Sequence, residues 1–311
     1  MRYTIGIDVG GTKTAYGLLD DTLNVVARRR VASDASLAAE AFFDEIARNV
    51  TELLRDAAIS EAELDGVGIC VPSFVRAEDS YIIKTANLPL LRDFHARDYL
   101  ESKLGVRVAV GNDMHAASIA EHRLGAGRGR ENMLYCLLST GIASGIIVND
   151  QLFRGSYGFS GESGHTIVTP NEGPTCGCGN QGCVSAYASA ANLPQNLRKW
   201  IAEGAKTTLT EPFSMPQIVD AYRDGDALAI RAVEQMTTYM AVWLFNLYVT
   251  LNIKTFVFGG GLLNMELPIL ALVRERFDAL NKTDLPVEFL TTQLGEDFGI
   301  LGASLFLGAE L

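Results

Sequence analysis

The chain has 311 residues, 48% of them hydrophobic and 20% charged, with 26 Lys and Arg against 37 Asp and Glu for a formal charge of -11. That much apolar material supplies a core and excludes a disordered chain, and the length predicts about two domains. The acidic balance has the wrong sign for neutralising a phosphate backbone, so no nucleic acid partner is expected.

In chain order, residues 3–8 alternate and are rich in β formers, Gly10-Gly11 makes a turn, and residues 14–19 resume an apolar strand. A helix is predicted from Ser36, ending before Asp65, because Phe42, Ile46, Val50, Leu53 and Ala57 recur every three or four residues. Residues 67–71 and 106–110 read as short strands on either side of a helix over 98–104. The first hundred or so residues are therefore expected to run hairpin, helix, strand, helix, strand, a mixed α/β lobe. A helix over 114–124 and a Gly-rich loop over 125–130 lead to strands at 133–138 and 145–148, separated by Ser139-Thr140-Gly141. Strand, small-residue turn, strand thus occurs once near the start of each half, as an internal duplication would produce.

Beyond the cysteine cluster the pattern turns helical, with a long apolar element over 227–251, a strand over 254–258 that enters Gly259-Gly260-Gly261, and helices over 264–280 and 298–307. The longest apolar run, residues 239–251, falls short of the ~20 residues that cross a bilayer, so no transmembrane segment is expected. The N-terminus enters a strand pattern at once and lacks the features of a secretory signal. Three of the five cysteines fall in the eight residues 176–183, which fits a metal site in a reducing compartment better than a disulfide framework. A cytoplasmic location follows as the expectation. Cys70 and Cys136 lie in apolar runs and read as core thiols.

Four motifs carry chemistry. Asp8-Val9-Gly10-Gly11-Thr12-Lys13 sets a carboxylate at a strand end, two glycines that let backbone N–H groups approach an anion, a hydroxyl and an ammonium, a combination suited to a metal-bound polyphosphate. A plain glycine hairpin with an exposed Lys13 is the alternative, and a P-loop is excluded because GxxxxGK[ST] is absent. Ser139-Thr140-Gly141 and Gly259-Gly260-Gly261 also follow apolar strands, where tight turns can present amides to a nucleotide. Asn112-Asp113 closes a strand ahead of a helix, where Asp113 is either a helix cap or a carboxylate that accepts a hydroxyl proton. The fourth is the set His165, Cys176, Cys178 and Cys183, three thiolates and an imidazole that complete a closed tetrahedral shell, the mark of a structural Zn2+.

DVGGTK at 8–13, ND at 112–113, GESGH at 161–165 and CGCGNQGC at 176–183 resemble the ROK family (repressors, open reading frames, kinases) in order and spacing along nearly the whole chain. GICVP at 68–72, ANLPL at 86–90, with a likeness to the allose kinases, and FGGG at 258–261 correspond to further family segments. The resemblance implies an α/β, two-lobed actin-like fold of the hexokinase and RNase H-like type, with ATP and sugar in a cleft between the lobes and a homodimer as the usual assembly. An N-terminal lobe over 1–115, with a C-terminal helix at about 298–311 packing back on it, and a C-terminal lobe over 116–297 bearing a zinc loop at 165–183 are expected.

Carried over by position, Asp113 would take the proton of a hexose hydroxyl, the 6-OH, as it attacks the γ-phosphate of ATP, and Asp8 would help hold Mg2+. Gly10, Gly11, Thr12 and Lys13 with Thr140, Gly141, Gly259, Gly260 and Gly261 would line the nucleotide. Asn87, Asn112, Glu162 and His165 would contact the sugar, His165 serving zinc as well. Two departures stand out: Ser139 and Ala143 replace glycines common in the second turn, and Ser185 replaces a glutamate that contacts the sugar. Repressors of the family carry a winged-helix domain ahead of the DxGGT segment, which here starts at residue 8, so a kinase is expected over a repressor or a non-catalytic sugar-sensing relative.

Overall fold

The computed structural model describes residues 1–76, 78–85 and 87–308. Ala86, which opens the 86–90 segment, and residues 309–311 of the expected last helix lie outside the described residues. The chain divides into two compact units, one built from Met1–Glu131, Gly145–Ser160 and the stretch from Thr292 onward, the other from Asn132–Ser144 and Gly161–Thr291.

In chain order the elements are β1 (Tyr3–Val9), β2 (Lys13–Leu19), β3 (Val25–Ala32), α1 (Ala39–Asp56), β4 (Leu64–Val71), β5 (Ser73–Arg76), β6 (Tyr81–Thr85), β7 (Arg92–His95), α2 (Ala96–Leu104), β8 (Arg107–Asn112) and α3 (Asp113–Leu124). There follow β9 (Met133–Leu138), β10 (Ile142–Val148), β11 (Gln151–Leu152), α4 (Val184–Ala188), α5 (Leu193–Ala202), α6 (Met215–Arg223), α7 (Ala227–Leu251), β12 (Thr255–Gly259), α8 (Ile269–Leu280), β13 (Glu288–Thr291) and α9 (Phe298–Leu305).

The first unit is a five-stranded sheet in the order β3-β2-β1-β4-β8, with β1, β4 and β8 parallel. Alternation along β1 sorts the core. Ile5, Ile7 and Val9 pack with Phe42, Phe43, Ile46 and Val50 of α1, while Gly6 and Asp8 face the other side. There α9 lies so close that a Cβ on Gly6 would stand 1.9 Å from the Ile300 carbonyl oxygen, and one on Gly68 of β4 1.8 Å from that of Ala303. Gly302 of α9 in turn meets the Ala116 carbonyl of α3, where a Cβ would stand 2.0 Å away. This backbone-to-backbone packing places α3 and α9 in the first unit together with the sheet, so that unit runs past residue 115.

The second sheet runs β11-β10-β9-β12-β13, with β10 passing from the second unit into the first at Ser144 and Gly145. In the second unit β9, β12 and β13 are parallel, and Phe256 and Phe258 of β12 pack with Phe277 of α8 and Phe289 of β13.

Several expectations need correction. The strand β3 and the separate antiparallel sheet β5-β6-β7 were not among the expected elements, nor was β13. The helix expected from Ser36 begins at Ala39, because the Asp34 carboxylate accepts from the Ser36 N–H at 2.9 Å and its hydroxyl at 2.6 Å and holds that stretch in a turn. The helix expected over 264–280 begins at Ile269. Pro268 disfavours helical backbone at the residue before it, and Gly261–Asn264 form a separate 3₁₀ turn.

Candidate functional site

In the first unit the carboxyl ends of three parallel strands collect the expected residues. Asp8 sits across from Cys70 in the β1–β4 ladder, and Val71 of β4 sits across from Asn112 of β8. Asp8, the turn after β1 and Asn112-Asp113 therefore share one sheet edge, where open α/β sheets bind ligands. Gly10 donates its N–H to the Lys13 carbonyl at 2.9 Å and closes the turn. A Cβ on Gly11 would stand 2.7 Å from Cβ of Asn87, so only glycine lets the turn lie against that side chain.

The Asp8 carboxyl is pushed above the usual carboxylate range by burial, against the opposing pull of a hydrogen bond from the Cys70 thiol, 3.3 Å from Oδ1, and the charges of Lys13 and Arg30. Gly299 at the start of α9 backs it closely, since a Cβ there would meet the carboxylate at 2.5 Å. A half-buried, partly desolvated carboxylate is a hard oxygen ligand suited to a divalent cation, whose charge would favour the ionised form that burial disfavours.

The cap geometry bears on the two readings of Asp113, helix cap or proton-accepting carboxylate. The Asn112 side chain accepts from the N–H groups of Met114 at 2.7 Å and His115 at 3.3 Å, so Asn112 is the N-cap of α3 and Asp113 its first helical residue. Asp113 is half-buried, and its Oδ1 also accepts from the Met114 N–H at 2.9 Å.

The second unit gathers the other set. Leu137 of β9 pairs with Gly259 of β12 in parallel, so the turns after both strands leave the sheet at one edge. Gly260 has φ of 108°, and a Cβ there would meet the Leu138 carbonyl oxygen at 2.3 Å. The Ser139–Gly141 turn is pinned by N–H donation from Ser139 to the Gly141 carbonyl at 3.0 Å, and its Ser139 and Thr140 carbonyls accept from Ala190 and Ala191 at 3.1 and 3.2 Å. Thr140, Gly141 and Gly259–261 thus form one glycine-rich rim. Ser139 occupies its place in that turn without disrupting it.

The Glu162–His165 turn is wedged against β10, where a Cβ on Gly164 would stand 1.9 Å from the Ile142 carbonyl oxygen. Ser163 is held by the Trp243 indole N–H, which donates to its Oγ at 2.9 Å, and by the Ser144 hydroxyl at 2.8 Å. Burial raises the Glu162 carboxyl above its ordinary value, while the His165 ring pulls it down. Nε2 of His165 lies 3.9 Å from Glu162 Oε2, and Nδ1 lies 3.4 Å from the Cys176 sulfur. One imidazole therefore faces both the carboxylate and the thiols.

The ligand atoms of His165, Cys176, Cys178 and Cys183 all lie within 4.8 Å of one another, and the Cys178 and Cys183 sulfurs are 3.7 Å apart. Tetrahedral bonds of about 2.3 Å set sulfurs about 3.8 Å apart, so the set fits zinc. Burial and its neighbouring thiols push the Cys183 thiol up to about 12, a penalty that a divalent cation at the centre would reverse. Ser185 lies two residues beyond Cys183 in α4, buried, with its carbonyl accepting from Asn192 Nδ2 and the Ser189 N–H, both at 3.1 Å. Sequence reasoning missed the supports Trp243, Ser144 and Gly299. Trp243 stands 80 residues from its partner Ser163, a separation no local pattern reveals.

A model of the ROK family matches residues 4–309, and the chain belongs to that family. It is 29% identical over 309 residues to a glucokinase of Halalkalibacterium halodurans, covering 97% of this chain and 93% of the relative. Among solved structures it resembles a ROK hexokinase from Thermus thermophilus, with a TM-score of 0.86 at 29% identity over 98% of this chain and 97% of that one. It also resembles a ROK family glucokinase from Streptomyces griseus in complex with glucose and AMPPNP, with a TM-score of 0.76 at 29% identity over 97% of this chain and 98% of that one. The α/β fold is the two-lobed, actin-like ATPase fold of these kinases.

Proposed function

We propose that the protein is an ATP-dependent kinase acting on a hydroxyl of a hexose or hexose derivative, the 6-OH, with Asp113 as the base. The observation that carries this is the sheet register, which sets Asp113, the first residue of α3 after its cap Asn112, at the strand edge that also bears Asp8. Similarity to glucokinases, one of them seen with glucose and AMPPNP, supports the acceptor and the donor.

In the reaction the sugar oxygen bonds to the γ-phosphorus, its proton passes to the Asp113 carboxylate, and the bond to the β-phosphate oxygen breaks to leave ADP. Asp8 would hold Mg2+, which when bound neutralises the phosphate oxygens. The amides of Gly10, Gly11 and Thr12, the Lys13 ammonium and the rim of Thr140, Gly141 and Gly259–261 would orient the polyphosphate. Asn87, Asn112, Glu162 and His165 would bind sugar hydroxyls, with Ser185 on the wall near Glu162. Zinc on His165, Cys176, Cys178 and Cys183 would fix the His165 ring so that Nε2 faces the sugar.

A homodimer in the cytoplasm is the assembly and place we infer. The zinc thiolates need a reducing compartment, and among the described residues no helix is long and apolar enough to cross a membrane. A coupled assay for ADP release over a panel of hexoses and N-acyl hexosamines tests the reading. Sugar-stimulated ADP release is expected, and its absence with every sugar would reject it.

A further inference from the structure

A cavity of about 720 Å³ lies in the first unit, walled by α3, the β10–β11 hairpin and the end of α9. Ile119, His122 and Arg123 stand three and four residues apart on α3, so one face of the helix turns to the cavity. Ile147 and Leu152, which pair across the hairpin, complete an apolar lining with Ile119 and with Leu305 of α9. That volume falls in the range of small-molecule sites, which join apolar walls to a few convergent polar groups.

On balance the polar lining is cationic. Arg123 and Arg154 bring two guanidinium groups to it, and the Asp150 carboxylate, the acid among the lining residues, already faces Nε2 of the buried His122 at 3.0 Å. In a chain with a formal charge of -11, two arginines against one engaged carboxylate are a local reversal of sign. Burial lowers the Arg154 guanidinium from its ordinary value, a cost that an anion beside it would offset. Guanidinium forks match the oxygens of phosphates and carboxylates, and two of them match a dianion.

The cavity is removed from the strand edge that bears Asp8 and Asp113. Asp113 opens α3, and Ile119 to Arg123 follow six to ten residues later, about 9–15 Å along the helix. The two ends are joined through His115. Burial pushes the pKa of its ring down to about 4, the Ser160 carbonyl, 3.4 Å from Nε2, pulls it up, and the Arg154 charge pulls it down. Ser160 in turn donates its N–H to the Arg154 carbonyl at 3.2 Å.

We propose that this cavity binds a small phosphate monoester, its dianion held by Arg123 and Arg154 and its organic part against Ile119, Ile147, Leu152 and Leu305. An ester is favoured over inorganic phosphate because the apolar walls gain from an organic part that covers them, and over a carboxylate because one phosphate group carries both charges to the two arginines. The site is separate from the role given to Asp113, and no bond is made or broken in it.

The test is calorimetric titration of the zinc-loaded protein with phenyl phosphate, glucose 6-phosphate, inorganic phosphate and succinate, for wild type, Arg123→Ala and Arg154→Met. Saturating AMPPNP and Mg2+ keep the strand edge occupied. At least one ester is expected to bind once per chain, more tightly than inorganic phosphate or succinate, with an affinity that falls about ten- to hundredfold in each variant. Tighter phenyl phosphate assigns a hydroxyl-poor ester, and tighter glucose 6-phosphate assigns a sugar phosphate. Esters that do not bind, or bind no more tightly than inorganic phosphate or succinate, overturn the proposal. So does ester binding that survives in Arg123→Ala, a change at an exposed helix position. The titrations read binding and not turnover, so their failure leaves the role of Asp113 standing, and failure of that role leaves them unaffected.

Discussion

Replacing Asp113 by Asn removes the proton acceptor while keeping the size of the side chain, and the capping of α3 lets its two effects be separated. Because Asn112 supplies the cap, bonding to the Met114 and His115 N–H groups, Asp113→Asn leaves those bonds in place. The Met114 N–H also lies 2.9 Å from Asp113 Oδ1, a bond an amide oxygen can keep, so the expected stability cost is the loss of a charge in the first helical turn, about 0.3–1 kcal/mol. Asn112→Ala should instead lose a cap worth about 0.5–2 kcal/mol. General-base catalysis contributes roughly 100- to 10,000-fold to kcat, so Asp113→Asn should lower kcat by that factor with a melting temperature closer to wild type than that of Asn112→Ala. Coupled ADP release gives the first quantity and a thermal melt under the same buffer the second. If Asp113→Asn kept kcat within about tenfold of wild type while melting as low as Asn112→Ala, Asp113 would be a structural residue and the assignment of the base would fail.

Asp8→Asn should melt higher than wild type at neutral pH while losing sugar-stimulated ADP release. Burial raises the Asp8 carboxyl, so the folded chain binds that proton more tightly than the unfolded chain, and above the raised value the ionised group opposes folding. A lower melting temperature in the variant would contradict this sign. One zinc per chain is expected by elemental analysis, lost in Cys178→Ser, and chelation should weaken sugar binding more than ATP binding because His165 belongs to both sets. Protein prepared without chelators and found free of stoichiometric zinc would reject the site. Ser185→Glu should raise preference for glucose, a charge-assisted grip being worth about 1.5–3 kcal/mol or roughly ten- to hundredfold in affinity. Unchanged sugar ratios in a folded variant would remove Ser185 from the specificity determinants.

The parts of the molecule with a strong local signature were legible in the sequence. The helix over Ala227–Leu251 is 25 residues long and strongly apolar, broken only by scattered polar residues such as Arg231 and Glu234, and β1 and β12 are strands followed or ended by glycines. The zinc set was legible because cysteine spacing is chemistry in itself. By contrast β5, β6 and β7 are four or five residues long and carry Arg, Lys, Asp and His, so they offer too few alternations to register as strands. Whether Asp113 serves as the cap of α3 was not legible, since Asn and Asp both cap helices and the His115 N–H bond to Asn112 is seen only in the structure.

The close seating of α9 on Gly6 and Gly68 bears on how the chain is completed at the ribosome. Strand β1 emerges first, yet the helix that covers one side of it begins only at Phe298. At about 5–20 residues per second, on the order of 15–60 s of synthesis separates the two. The second unit ends at Thr291 and has all of its residues before α9 is translated. The unit that starts first is thus the last to be finished, and until α9 arrives the glycine-lined side of its sheet is open to whatever backbone can reach it.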